Sequence, residues 1–315
     1  MLRRLVALGL SAALLTGCGA QADGQPDRTA TPKAVAAPAQ TVGPDDAATA
    51  FALLKELDDA WKKHDCAKVA FLTTSAEGEL GARACEAVKN GRPAPAPLDY
   101  SKVDYFLPDR AAEHPWFVAL AHRPHPSYFL FAREEERWRL AYGPIRLLGD
   151  APELDAQQTT RAVPTDDPDD GVRARLVPQK HLAFLSDRAG LSGVRFATGD
   201  PMRALLTELT KKPGIVRPDR LSSDVQLVPS ETRALGLVDG GALVFHALKI
   251  MYIQKTGARR LAHPLFGADA VRAFTGKAGV KAIHASEVVL LATKVTADGK
   301  LTTVAMTRGL ADITA

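Results

Sequence analysis

Few residues in this chain have both the type and the spacing to specify a reaction. Three histidines fall close together, His114, His122 and His125, and His122-x-x-His125 invites comparison with a metal pair. The spacing is not that of a helical two-histidine site, and Pro124 and Pro126 make the segment a turn between strands, so no metal is expected there. Acid–base chemistry needs a carboxylate, phenol or imidazole inside a cavity that shifts its pKa. Asp99, Asp104, Tyr105 and His122 are the polar groups placed to supply one. Trp61, Trp116, Trp138 and Tyr142 could line such a cavity, since small-molecule sites are apolar concavities with a few polar groups. The same four aromatics would equally serve as core between a helix and a sheet.

The elements that must position these groups follow from periodicity. Pro44-Asp45-Asp46 starts a helix in which Phe51, Leu54, Leu57 and Trp61 recur at helical spacing, with Lys55, Glu56, Asp59 and Lys62 on the outer face. A second helix is predicted from Cys66 to about Thr73 and a third from Glu77 to Val88. Gly91 to Pro97 is a Pro-Ala linker that cannot be helical. Four short runs then read as antiparallel strands: Val103–Leu107, Trp116–His122, Ser127–Arg133 and Arg137–Tyr142. In the last, Trp138, Leu140 and Tyr142 are expected on one face, with Arg137 and Arg139 on the other. Helices followed by a sheet imply an α+β arrangement with the helices packed on one face.

Residues 149–170, rich in proline and aspartate, read as a second linker, after which the pattern partly repeats. A helix led by Pro178 runs to about Ser186. Another begins at Asp200-Pro201, as cap and first residue, and continues through Met202, Leu205, Leu206 and Leu209. Leu221–Val228, Arg233–Val238, Ala242–Gln254, Glu287–Ala297 and Lys300–Leu310 read as strands, and Gly267–Phe274 as a short helix between the third and fourth of them. Asp239-Gly240 and Asp298-Gly299 mark hairpin turns. The expected fold is therefore two α+β modules, residues 45–148 and 171–315, each a set of helices on a curved antiparallel sheet. His246 in the third of these strands is read as a satisfied sheet histidine.

The N-terminus carries an address. Arg3 and Arg4 precede an apolar run from Leu5 to Leu15, about eleven residues, well short of the about 20 that span a bilayer. Leu15-Thr16-Gly17-Cys18 closes this signal peptide and resembles the lipobox of bacterial lipoproteins. That resemblance implies that Cys18 takes a diacylglycerol on its sulfur and becomes the N-terminus after cleavage of residues 1–17; two acyl chains anchor stably where one would bind reversibly. Residues 19–44, without an aromatic side chain, form a flexible tether. With Cys18 committed to lipid, Cys66 and Cys85 remain, in an oxidising compartment that favours pairing. A disulfide is expected, contributing about 3 kcal/mol in the chain-entropy model; two reduced, buried thiols are the alternative.

Asp46 to Thr74, with the helix end Asp58-Asp59-Ala60-Trp61-Lys62-Lys63-His64-Asp65, looks like the opening of the nuclear transport factor 2-like (SnoaL-like) cone superfamily. Glu136-Arg137-Trp138-Arg139-Leu140 is similar to its closing strand. The resemblance covers residues 46–148 and implies a cone with a ligand at its open end, and the repeated helix-then-sheet pattern of residues 171–315 is read as a second, divergent cone-like module. It specifies no activity, because that superfamily holds isomerases, dehydratases and passive binding modules. As a whole the chain resembles actinobacterial two-domain lipoproteins of unknown function, and its richness in Ala, Arg, Gly and Pro fits a high-GC genome.

Charge and motifs exclude several classes. Without Arg3 and Arg4 the 40 basic side chains become 38 against 36 acidic, a near balance that gives no support to nucleic-acid binding. Lys255-Thr256-Gly257 matches one motif of the penicillin-binding proteins, but neither Ser-x-x-Lys nor Ser-Asp-Asn accompanies it. The nucleophile elbow, the zincin motif, the phosphate-binding loop and the dinucleotide fingerprint are absent. The expectation is a non-enzymatic module on the extracellular face of the cell membrane, without cofactor or metal, held by lipid on Cys18 and binding an envelope protein or a small apolar ligand. The alternative is an isomerase or hydrolase using the first module's cavity.

Overall fold

The computed structural model describes residues 40–156, 159–164, 166–187 and 189–315; Cys18 and the segment expected to be a signal peptide lie outside the described residues. α1 (Pro44–Lys62) opens with proline in its first turn and with Asp45 and Asp46 at the positive end of its dipole. It buries Ala47, Ala50, Phe51, Leu54 and Leu57. α2 (Cys66–Leu72) is capped by the Asp65 carboxylate, which accepts the Lys68 N–H at 3.0 Å. α3 (Ser75–Lys89) completes the layer. Cys66 and Cys85 form a disulfide that joins α2 to α3 across a Cα–Cα distance of 5.6 Å, so these two thiols are not the reduced pair.

The helices cover a four-stranded antiparallel meander of β1 (Ser101–Phe106), β2 (Trp116–Arg123), β3 (Ser127–Glu134) and β4 (Arg137–Arg146). Phe117, Phe129, Phe131 and Leu140 meet α1 on one face, while Val118, Leu120, Tyr128 and Leu130 point the other way and are equally buried. The run Tyr128-Phe129-Leu130-Phe131 shows no polar alternation because a second sheet covers the face away from the helices.

That sheet is built from β5 (Arg220–Leu227), β6 (Arg233–Gly236), β7 (Ala242–Lys255), β8 (Ala282–Val295) and β9 (Leu301–Thr314), all antiparallel. β5 and β6 pair with successive stretches of β7, and β8 and β9 follow on its other side. Leu243, Phe245, Val288 and Leu290 face the first sheet; Val244, Leu248, Val289 and Leu291 face α4 (Asp170–Ser186) and α5 (Pro201–Ile215). The layers thus run helices, sheet, sheet, helices, an α+β fold. A short α6 (Ala268–Thr275) follows β7.

Two expectations are corrected. Pro178 lies inside α4 and does not lead it. The helix starts at Asp170, because the Asp167 carboxylate collects the backbone N–H groups of Asp169, Asp170 and Gly171, turning part of an aspartate-rich linker into a helix start. Residues 149–170 also do more than connect: Leu154 and Ala162 bridge to Leu237 and Leu235, and the Thr160 N–H donates to the Leu107 carbonyl at 2.7 Å.

Candidate functional site

Two local irregularities shape a cavity beside α3. At the end of that helix Gly91 takes φ +98°, where a side chain would be strained. Its N–H donates to the Val88 carbonyl and that of Arg92 to the Ala87 carbonyl, both at 3.0 Å. This is the Schellman arrangement, which reverses the chain and leaves Arg92 reaching Leu310 of β9 and Phe274 of α6. Pro93, Pro95 and Pro97 keep the following segment extended, and the Leu98 N–H ties its far end to Asp58 Oδ1 of α1 at 3.3 Å.

The second irregularity is in β4. Tyr128 pairs with Ile145 and Leu130 with Tyr142, which sets Gly143 and Pro144 opposite the single residue Phe129 as a β-bulge. Gly143 has φ +134°, and a Cβ there would stand 2.8 Å from Phe129 Cδ1. The bulge takes the Gly143 N–H out of the strand ladder and gives it to Glu77 Oε1, at 3.2 Å.

Glu77, Leu80, Ala84 and Val88 lie on one stripe of α3, three or four residues apart, and Arg92 continues the series past the helix end. With Leu57 and Trp61 of α1, the proline segment, the β4 bulge, and Leu290 and Thr307–Leu310 of the second sheet, they enclose about 450 Å³. This is the size of a small-molecule site.

The ionisable groups in this wall differ in how they are compensated. Burial pushes the Glu77 carboxyl up to about 8, offset only in part by the Gly143 N–H, so a large fraction of it is protonated at neutral pH. Arg308 is saturated: it holds Glu208 through Nη1 and Nη2 at 2.6 and 2.9 Å, and Glu287 through Nε and Nη2 at 2.9 Å each. Arg92 spends one N–H on the Leu310 carbonyl at 3.1 Å and lies 5.1 Å over the Phe274 ring. Among the described residues it has no carboxylate partner, and burial lowers its pKa.

The residues singled out from sequence are distributed over several places. Trp61 lines the cavity. Trp138 and Tyr105 sit on the helix-covered face of the first sheet, each edge-on to Phe117, and act as core. Trp116 lies on the opposite face beneath the Arg233 guanidinium. Tyr142, expected beside Trp138 and Leu140, also points to that opposite face. Phe131 pairs with Leu140 and Leu130 with Tyr142, so Ala141 is an extra residue that reverses the alternation. The Tyr142 hydroxyl is 2.5 Å from Ser230 Oγ. Asp104 and His122 do meet, Oδ2 to Nε2 at 2.7 Å, but both are exposed and neither borders the cavity. Asp99 lines a separate groove along α1. Among the described residues no three His, Cys, Asp or Glu side chains cluster as metal ligands do.

Sequence reasoning passed over Glu77 and Arg92. Thr74-Ser75-Ala76-Glu77 has the form of a capping box, which would turn the glutamate back onto the helix start. Instead the Thr74 hydroxyl donates to Glu134 Oε2 at 2.7 Å and Glu77 faces the bulge. The signal that could have revealed it is an acid in line with Leu80, Ala84 and Val88.

The family model of a domain of unknown function, DUF8094, matches residues 57–314, across both sheets. An uncharacterised lipoprotein of Streptomyces coelicolor, SCO2278, is 29% identical over 201 residues, a match that covers 60% of this chain and 59% of the relative. The aligned part is thus about three fifths of that protein. No solved structure matches the chain. Among the described residues no helix is long and apolar enough to cross a membrane.

Proposed function

We propose that this chain, which belongs to the domain-of-unknown-function family DUF8094, is a lipid-anchored extracytoplasmic binding module that takes a small apolar ligand into the cavity beside α3. The observation that carries the reading is that cavity: about 450 Å³, walled mainly by Leu57, Trp61, Leu80, Val88 and Leu290, with Glu77 as an acid that has a single hydrogen bond. Anchoring through Cys18 is supported by the signal-like N-terminus and by the similarity to a lipoprotein. A stable anchor with a tether suits a module that samples the space next to the membrane.

Titration with Nile red, a neutral apolar dye, tests the binding half. Saturable fluorescence is expected, lost when Leu80→Trp fills the cavity in a protein of unchanged melting temperature. Dye binding indifferent to that substitution counts against the cavity. Metabolic labelling with an alkyne fatty acid tests the anchor, and equal label on wild type and Cys18→Ser sinks it.

One observation favours a second reading, an isomerase or hydrolase. A carboxyl poised near neutrality in an apolar cavity is suited to proton transfer, which would make Glu77 the general acid or base. Turnover of a bound compound that Glu77→Gln abolishes without weakening its binding would select this alternative.

A further inference from the structure

The shape and charge of the cavity narrow the ligand class, an inference that rests on the binding reading above. Glu77 stands in the first turn of α3 and Val88 in its last, 11 positions apart in sequence, so the stripe between them extends for about 16 Å at 1.5 Å per residue, and Arg92 follows just beyond the helix end. Leu80, Ala84 and Val88 fill that stretch, and none of them can hydrogen-bond a ligand through its side chain. Along α3 the site is thus apolar in the middle, with one polar group at each end.

The two ends are not equivalent. Arg92 is a cation in the cavity wall that no carboxylate neutralises; its fork retains donors beyond the one given to Leu310. Arg308 brings no net attraction for an anion, because Glu208 and Glu287 occupy its guanidinium from two sides. Glu77 accepts the Gly143 N–H on Oε1 and, when protonated, presents an O–H donor. A half-buried arginine without a counter-ion among the described residues is a charge that a ligand can complete, and guanidinium matches carboxylate and phosphate oxygens in a two-pronged geometry. The Schellman turn at Gly91 and the proline at 93 hold the Arg92 backbone in place before any ligand arrives, which lowers the ordering cost of binding.

We propose that the cavity binds an elongated anionic amphiphile, with its carboxylate or phosphate head on Arg92, its apolar body along Leu80, Ala84 and Val88, and its far end under Glu77. Charge on the ligand is read at the Arg92 end. Glu77 accepts an uncharged terminus and favours one bearing a hydroxyl or carbonyl oxygen.

The test uses the full chain carrying Cys18→Ser, so that no covalent acyl chain competes, and displacement of Nile red by palmitate, hexadecyl phosphate, methyl palmitate and hexadecanol. At least one of the two anions is expected to displace the dye at about 10- to 100-fold lower concentration than the ester and the alcohol, the range for a charged hydrogen bond of about 1.5–3 kcal/mol. The relative affinities of carboxylate and phosphate then assign the head group. Arg92→Met, with displacement referred to that variant's own dye affinity, should bring the four compounds within about 3-fold of one another. Arg92→Lys should restore part of the preference, which guards against reading a folding defect as a lost contact.

Equal affinity for anion and ester in the wild type, or an anion preference that survives Arg92→Met, overturns the proposal while leaving the cavity as a binding site. Failure of Nile red itself to bind overturns both readings.

Discussion

The acid in the cavity and the polar groups under α4 and α5 are all at least half-buried, yet they are treated in opposite ways. In the second helix layer the charges around Tyr252 have company. Glu287 accepts from Arg308 and from the Tyr252 hydroxyl at 3.0 Å, and Lys212 donates to Tyr252 at 2.9 Å and pairs with Glu208 at 2.9 Å. His181 donates to the Val177 carbonyl at 2.9 Å, and its other nitrogen shares the Thr293 hydroxyl with His246, whose ring lies 4.7 Å away. Glu77 has one backbone N–H and borders a space. His246 Nδ1 stays unpaired in that network, but it is enclosed by packed side chains, whereas Glu77 faces a void where a ligand can add bonds.

The comparison breaks most visibly if Arg308 is removed. Arg308→Met takes the shared guanidinium from two carboxylates, leaving Glu208 to Lys212 and Glu287 to the Tyr252 hydroxyl, and should cost about 3–5 kcal/mol in urea unfolding. A loss near that for a surface ion pair would mean that the network carries little.

The next effect is a pH dependence. Burial holds the His181 pKa down at about 4 and that of His246 well below its usual value, so both are neutral in the folded protein. The unfolded chain takes up these protons below about pH 6.5 while the folded chain resists. Stability is therefore complete above pH 6.5 and falls as the pH drops toward 4, by about 3 kcal/mol for His181. The double variant His181→Gln, His246→Gln should show a shallower decline; an identical slope refutes this account.

Glu77 titrates with the opposite sign and smaller effect. Its folded pKa of about 8 lies above that of an unfolded glutamate, so the folded state holds its proton more tightly and stability falls as the pH rises from about 4.5 to 8. Solvent reaches the carboxyl in part through the cavity, so the penalty at pH 8 is on the order of 2 kcal/mol. Glu77→Gln should be more stable than wild type at pH 8 and close to it at pH 4.5, measured by thermal unfolding. Together the two regions predict a stability maximum near pH 6.

Most of the element order was legible because local periodicity and punctuation agree with the tertiary result. The spacing of Phe51, Leu54 and Leu57, the Asp200-Pro201 start of α5 and the Asp239-Gly240 turn each encode their own element. Pro178 misled because a helix start supplied by Asp167 outweighs one missing N–H. Tyr142 misled because period-two alternation assumes a regular strand, and an extra residue at Ala141 is invisible in a list of side chains. The candidate site was the least legible part: Glu77 read as the start of a helix and Arg92 as a linker residue, since a sequence does not say which surface a helix stripe will meet.

Taken alone, the sequence determined the α+β class, the helices and strands in order, and the Cys66–Cys85 pair; it also pointed to a lipid address at Cys18. These depend on interactions between residues close along the chain or on a motif read by processing enzymes. Only the tertiary structure decided that the second sheet covers the outer face of the first, and that the β4 bulge hands its N–H to Glu77. It alone placed a proline segment and Arg92 over the remaining space. Those contacts join residues far apart in sequence, and packing between layers selects among local conformations that the chain by itself permits equally.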